Sequence, residues 1–98
     1  GYMARFVAGM SEHCYFDSLA VQADGDVCVA TIVKGGISTF TPGGALRHTA
    51  FPDFIVTNIC FGGPDLKTAY LTLSSTGKVV SLPWARPGLR LNFDPCRP

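Results

Sequence analysis

Charged side chains and long apolar runs are both scarce in this sequence. Only 15% of its 98 residues are charged, and the formal net charge is +1, whereas about 25% of residues are charged in a typical soluble domain. So small a net charge gives no electrostatic reason to expect nucleic acid or a membrane surface as a partner. No stretch reaches the roughly 20 apolar residues of a transmembrane helix, and a hydrophobic fraction of 47% argues against disorder. We expect a soluble folded domain.

The four cysteines, Cys14, Cys28, Cys60 and Cys96, contain no Cys-x-x-Cys pair, and their spacing fits no structural zinc pattern. Cys28 and Cys60 lie in apolar, strand-like runs, where cysteine behaves as a small buried hydrophobe. The first ten residues carry one charge and a broken apolar stretch, which does not resemble a secretory signal. We therefore predict reduced thiols and a cytoplasmic location.

Glycine and proline, by contrast, are abundant, and they separate segments that repeat along the chain. DSLAV at 17–21 aligns with TNICF at 57–61, and VCVAT at 27–31 aligns with AYLTL at 69–73. Further along, GGISTF aligns with TGKVVS, and ALR with GLR. The segments are short and rich in Val, Ile, Thr, Phe and Tyr, which indicates strands. A repeat of about 41 residues with four strands per unit is typical of β-propeller blades.

The sequence thus predicts an all-β chain of two four-stranded antiparallel blades, of the type found in six-bladed propellers, at 17–51 and 55–93. Residues 1–16 precede them, with a possible extra strand at Met3–Ala8, and 94–98 form a tail. Asp-Gly and Pro-Gly-Gly turns suit the hairpins between strands. The fallback architecture is a β-sandwich of two sheets.

The chain from Tyr15 to Phe93 resembles the C-terminal part of the senescence marker protein/gluconolactonase/regucalcin family. The similarity is carried by the aromatic-Asp-Ser start YFDSLAV, the ADGD hairpin, the segment VTNICFGGPDL and the ending WARPGLRLNF. The first fourteen residues show no such resemblance. The resemblance implies the last two blades of a six-bladed propeller. It also implies one divalent cation (calcium, zinc or magnesium) in a central channel and hydrolytic opening of sugar lactones.

The same resemblance implies that Asp17 is a metal ligand and that Ser18 lines the metal site. The structural alternative for Asp17 is a turn in which its carboxylate accepts hydrogen bonds from backbone N–H groups. Thr57 and Asn58 occupy the equivalent point of the second repeat, where they would line the channel and contact substrate. The structural alternative for these two residues is that their side chains form hydrogen bonds with nearby backbone groups. The family's glutamate and asparagine ligands belong to blades outside this stretch, so we expect an incomplete active site in one isolated chain.

Two functions follow as hypotheses. The first is a partial, metal-dependent lactonase whose single chain is inactive alone. The second is a non-catalytic propeller module that self-associates or binds a partner, because two blades leave two outer faces uncovered. Three chains of two blades would make six, so a trimer is the specific form of this hypothesis. A dimer joined through the exposed faces, a longer parent protein and capping by the N-terminal segment are the alternatives.

Overall fold

A computed structural model describes residues 3–92, which fold into seven strands and two antiparallel sheets. The first sheet has the strand order β1-β2-β3-β4 and the second has the order β5-β6-β7. The strands of the first sheet are β1 (Tyr15–Val21), β2 (Val27–Ile32), β3 (Ile37–Phe40) and β4 (Leu46–Thr49). Those of the second are β5 (Val56–Gly62), β6 (Thr68–Leu73) and β7 (Lys78–Pro83). The prediction of an all-β chain with two antiparallel sheets is confirmed.

Each hairpin turn has a local cause in the sequence. The Asp-Gly turn between β1 and β2 has Gly25 at φ +94°, a conformation that side chains with a Cβ avoid. Gly36, between β2 and β3, also has positive φ, and a Cβ there would overlap the backbone carbonyl of Thr49. These turns therefore fix where each strand ends.

The two sheets pack face to face around one hydrophobic core. Residues directly opposite each other in an antiparallel pair share a face, so Ala20, Cys28 and Ala30 lie together on the first sheet. They pack against the face of the second sheet that carries Ile59 and Leu71. In this contact β1 and β2 contribute small side chains, and the second sheet contributes the larger Ile59 and Leu71. Such pairing lets two sheets approach closely without voids.

The inner strands β1 and β5 lie side by side and run in the same direction. Ile32 pairs with Tyr15 at the start of β1 and forms a bridge with Ile55, just before β5. At the opposite end, Gly88 bridges to Gln22, which directly follows β1. The repeat positions that the sequence analysis selected on β1 and β5 therefore occur at the same end of the two sheets.

The N-terminal segment does not form the extra strand predicted at Met3–Ala8, because residues 3–14 pair with no strand. Met3 and Phe6 are largely exposed, and Val7 and Ala8 border the outer face of the first sheet. Without an adjacent strand edge, alternation of side chains alone gives no hydrogen-bonded ladder.

The second sheet has three strands within residues 3–92, and the predicted fourth strand near GLRLNF does not join it there. Gly88 instead donates its N–H to the carbonyl of Leu66, and Leu89 donates to the carbonyl of Val21, each at 2.8 Å. The segment after β7 therefore crosses from the second sheet to the end of β1. Residues 93–98, including the predicted tail, lie outside the described residues.

Gly88 permits this crossing because a Cβ at that position would overlap the ring of Phe61. We expect Gly88→Ala to lower the free energy of unfolding by about 1–3 kcal/mol, as overpacked sites do. Urea denaturation measures the change. Gly43→Ala is the matched control, since the nearest atom to its Cβ would be 3.9 Å away. Equal effects of the two substitutions would contradict this explanation.

Candidate functional site

Both inner strands carry a β-bulge at the positions that the sequence analysis selected. In β1 the register shifts between Phe16 and Leu19, so that Asp17 and Ser18 together face one residue of β2. In β5 the shift lies between Val56 and Asn58, which makes Thr57 the extra residue. Bulges bend a strand and redirect its side chains, and they are enriched beside active sites. Both repeats thus have a bulge where the candidate site residues lie.

Asp17 is exposed, and its carboxylate has no hydrogen-bonding partner among residues 3–92. The turn-capping alternative for Asp17 requires bonds from backbone N–H groups, and the described residues supply none. The side chain borders a cavity of about 370 Å³ on the outer face of the first sheet, together with Phe16 and Leu19.

Thr57 and Asn58 are engaged in local hydrogen bonds. The Thr57 hydroxyl lies 2.7 Å from Thr72 Oγ1 and 2.8 Å from Ser74 Oγ, so three hydroxyls form a cluster. Asn58 Oδ1 accepts the N–H of Ile59 at 2.8 Å. The side-chain carbonyl of Asn58 thus has the structural role, a hydrogen bond to nearby backbone, while its amide N–H₂ group remains exposed on β5. The channel-lining role of both residues stays a prediction.

Asp17 and Asn58 border different cavities within this chain. Asn58 borders a groove of about 390 Å³ between the inner strands, whose other residues include Leu19, Cys60 and Leu89. Asp17 borders the cavity on the outer face of the first sheet. The structure therefore brings the four predicted residues to one end of the fold, but it does not gather them around one pocket.

A family model described as "SMP-30/Gluconolactonase/LRE-like region" matches residues 3–75 of the chain. This match covers most of the sequence. The chain belongs to the SMP-30/gluconolactonase/LRE-like family. The family fold is a β-propeller, and the two face-to-face sheets agree with that fold. The match also includes the N-terminal segment, for which the sequence analysis found no counterpart, and it ends before the WARPGLRLNF motif.

Members of this family are typically metal-dependent, and a cation site requires several donor groups close together. Within residues 3–92, no three His, Cys, Asp or Glu side chains come together as ligands of one ion. The bulges of β1 and β5 offer one carboxylate, two hydroxyls and one amide. Oxygen donors suit a hard cation such as calcium or magnesium, which takes six or more ligands. The chain's residues therefore fit part of a cation site.

Asp53, which was not among the predicted site residues, is a buried carboxylate that connects the segment before β5 with the β6–β7 turn. It lies between β4 and β5 and accepts N–H groups from Ile55, Ser75 and Thr76, and the hydroxyl of Thr76. Burial opposes ionisation of Asp53, but these hydrogen bonds outweigh it and hold its pKa below the usual value. In the sequence, Asp53 is recognisable only as the aspartate of a Pro-Asp turn. That pattern does not predict a hydrogen bond to Thr76, which is distant in the chain.

A second buried polar side chain, Gln22, joins the end of β1 in the first sheet to Trp84, which follows β7 of the second. Gln22 Oε1 accepts the indole N–H of Trp84 at 2.9 Å and the thiol of Cys28 at 3.2 Å, and Gln22 Nε2 donates to Asp24. Burial raises the pKa of the Cys28 thiol, which keeps the thiol protonated as a donor. This network fixes the orientation of the Trp84 ring.

Cys14, Cys28 and Cys60 are unpaired within the described residues, and Cys96 lies outside them. Cys28 is buried as expected, but Cys60 is exposed because its side chain lies on the outer face of the second sheet. The described part of the chain also has no helix with the length and hydrophobicity to cross a bilayer.

A serine–histidine pair occurs in the first sheet but does not form a nucleophilic site. The Ser38 hydroxyl lies 3.1 Å from His48 Nδ1 and 2.7 Å from Thr31 Oγ1. Ser38 is fully buried, so no substrate can reach its oxygen. His48, predicted to be a surface residue, is half-buried, and its Nε2 is buried without a hydrogen-bonding partner among the described residues.

His48 should make the stability of the fold depend on pH. Burial lowers the pKa of His48, and the charge of Lys34 lowers it further. A histidine with a folded-state pKa below the unfolded value of 6.5 contributes stability that is fully present above that pH. The contribution is lost as the pH falls through the folded-state pKa. We expect the melting temperature to fall between pH 7.5 and pH 5, and to fall less in His48→Asn.

The control for this experiment is His13→Asn, because His13 is exposed in the N-terminal segment. Thermal melts should show that this variant keeps the pH dependence of the parent chain. A His48→Asn variant with an unchanged pH dependence would contradict the assignment.

Proposed function

We propose that this chain provides two blades of a gluconolactonase-like propeller and contributes Asp17 to its cation site. The observation that carries the proposal is the Asp17 carboxylate, which is held on a bulge at the start of an inner strand without a partner among residues 3–92. Ser18, beside it on the same bulge, adds a neutral oxygen. The remaining ligands would come from other blades, in a second copy or in a longer protein. An isolated chain would then be inactive.

The substrate class that family membership favours is a sugar lactone. Water adds to the lactone carbonyl carbon, the ring C–O bond breaks, and the ring oxygen takes a proton, which gives a hydroxy acid. A divalent cation at this site would act as a Lewis acid on the carbonyl oxygen. Because the donors are oxygens, calcium and magnesium suit the site better than zinc. Asn58 and the Thr57 hydroxyl cluster would then hydrogen-bond the sugar hydroxyls.

The proposed role of Asp17 is tested by the opening of gluconolactone in the presence and absence of calcium or magnesium. The assay uses the chain in its associated form, at the highest concentration that stays monodisperse. We expect cation-dependent opening that falls more than about tenfold in Asp17→Ala, as metal sites do when their ligation is disturbed. Asp65→Ala, which removes an exposed turn carboxylate, is the matched control. A rate of lactone opening that changes neither when the cation is removed nor in Asp17→Ala would contradict the proposal.

A second candidate function, self-assembly, is favoured by the composition of the two outer faces. The outer face of the first sheet carries Leu19 opposite Val29, and these residues occupy the repeat positions of Ile59 and Leu71 in the core. The outer face of the first sheet is therefore the counterpart of the core face of the second. Its large apolar members are partly exposed, including Phe16, Leu19 and Leu46.

The outer face of the second sheet is, conversely, the counterpart of the core face of the first. Cys60 pairs with Tyr70, and these two occupy the repeat positions of Ala20 and Cys28. The contact between the sheets inside one chain could thus recur between two chains, head to tail. A head-to-tail contact closes into a ring when its rotation permits. Three chains would supply the six blades that the family resemblance implies.

The proposed trimer predicts a mass in solution near three times 10.4 kDa by light scattering. Val79 is 73% exposed on the outer face of the second sheet. We expect Val79→Lys to dissociate the assembly, because it places a charge in an apolar contact. Phe54→Lys, in the exposed connection before β5, should leave the mass unchanged. A monomer for the parent chain would contradict self-assembly, and a dimer would contradict the ring.

Three unpaired thiols are typical of a reducing compartment, and we propose the cytoplasm as the location.

A further inference from the structure

A cavity of about 230 Å³ lies between the two sheets and is lined mainly by their outer strands and the residues after β7. Its walls are β3 and β4 on one side and the end of β7 with the residues that follow on the other. The lining residues are Gln22, Thr39, Arg47, Thr49, Leu82, Pro83, Trp84, Ala85 and Arg86. The volume is sufficient for a small organic molecule.

Both charged groups that line this cavity are guanidinium groups, from Arg47 and Arg86. The carboxylate nearest to Arg47 is that of Asp26, with 3.9 Å between Arg47 Nη2 and Asp26 Oδ2. That distance is too long for a hydrogen bond. The pKa of Asp24 is lowered mainly by hydrogen bonds from the Asp26 N–H and the Gln22 amide, and only slightly by the charge of Arg86. Asp24 therefore interacts only weakly with Arg86. Both guanidinium groups therefore keep donors for an anion.

One wall of the cavity is flat, apolar and fixed. Trp84 lies against Phe61, with 6.1 Å between the ring centroids, and its indole N–H is bound to the buried Gln22. Leu82 and Pro83 extend this wall. A ring held in place from two sides loses little conformational entropy when a ligand packs on it.

The opposite wall offers hydroxyl groups. Thr39 is buried, and its Oγ1 donates only to the sulfur of Cys28, at 3.5 Å, a weak acceptor. Thr49 lies on the same face, two residue pairs further along the sheet. A polar ligand group could therefore hydrogen-bond to either hydroxyl beside the guanidinium groups.

We infer that this cavity binds a small organic carboxylate with a flat apolar body. The carboxylate would lie between Arg47 and Arg86, because guanidinium groups match carboxylate geometry with two parallel hydrogen bonds. The apolar body would pack on Trp84. A lone inorganic anion would leave that wall uncovered.

This site is independent of the proposed cation site at Asp17. Arg47 lies on β4 and Asp17 on β1, at opposite edges of a four-stranded sheet. Three strand spacings of about 4.8 Å separate those edges. The cavity also lies between the two sheets of one chain, so stacking on the outer faces would not cover it.

The test is a titration of the full chain with benzoate, followed by fluorescence. The chain contains one tryptophan, so the emission reports on Trp84 alone. We expect a saturable change in emission for benzoate and none for benzamide, its neutral analogue. Arg47→Gln and Arg86→Gln should each weaken binding by about tenfold, the value of one charge-assisted hydrogen bond.

Arg5→Gln is the matched control, since Arg5 lies in the exposed N-terminal segment and should leave benzoate binding unchanged. The indole N–H resonance of Trp84, followed by NMR in each variant, reports both folding and occupancy. Three results would each overturn the inference. They are a signal that does not saturate, equal binding of benzamide, or benzoate binding that survives both arginine substitutions in folded protein.

Discussion

The packing of small side chains of β1 and β2 on large side chains of β5 and β6 is the contact on which the rest of the structure depends. Ala20, Cys28 and Ala30 leave room that Ile59 and Leu71 fill. Because this contact holds β1 beside β5, it sets the groove between the inner strands and brings both bulges to one end. The same packing places β3 and β4 opposite the residues that follow β7, and the cavity with two arginines lies between them.

The two repeats share a backbone but differ in chemistry at the bulge. In β1 the bulge presents Asp17, whose charge has no partner among residues 3–92. In β5 the equivalent Thr57 is bound within a cluster of hydroxyls. A charge that is left without a partner is costly unless it is solvated or binds an ion, and Asp17 is exposed. The repeat therefore has an exposed carboxylate at one bulge and a hydrogen-bonded hydroxyl at the other.

Buried polar groups complete the fold by joining elements that are distant in sequence. Asp53 connects the segment before β5 with the β6–β7 turn, and Gln22 connects the end of β1 with Trp84. Each network satisfies backbone or side-chain donors that burial would otherwise leave unpaired. Such networks specify how the sheets are aligned, whereas the apolar core specifies only that they pack.

The sequence by itself determined the seven strands that form, their turns and the repeat, because side-chain alternation and the conformational freedom of glycine act over a few residues. It also located Asp17 and Thr57 at equivalent points of the repeat, and each of them lies in a bulge. Only the tertiary structure decided that the segment at Gly88 leaves the second sheet, since that path depends on contacts with Phe61 and Leu66. For the same reason, the cavity lined by two arginines could not be predicted. Its walls are far apart in the chain and meet only when the two sheets pack.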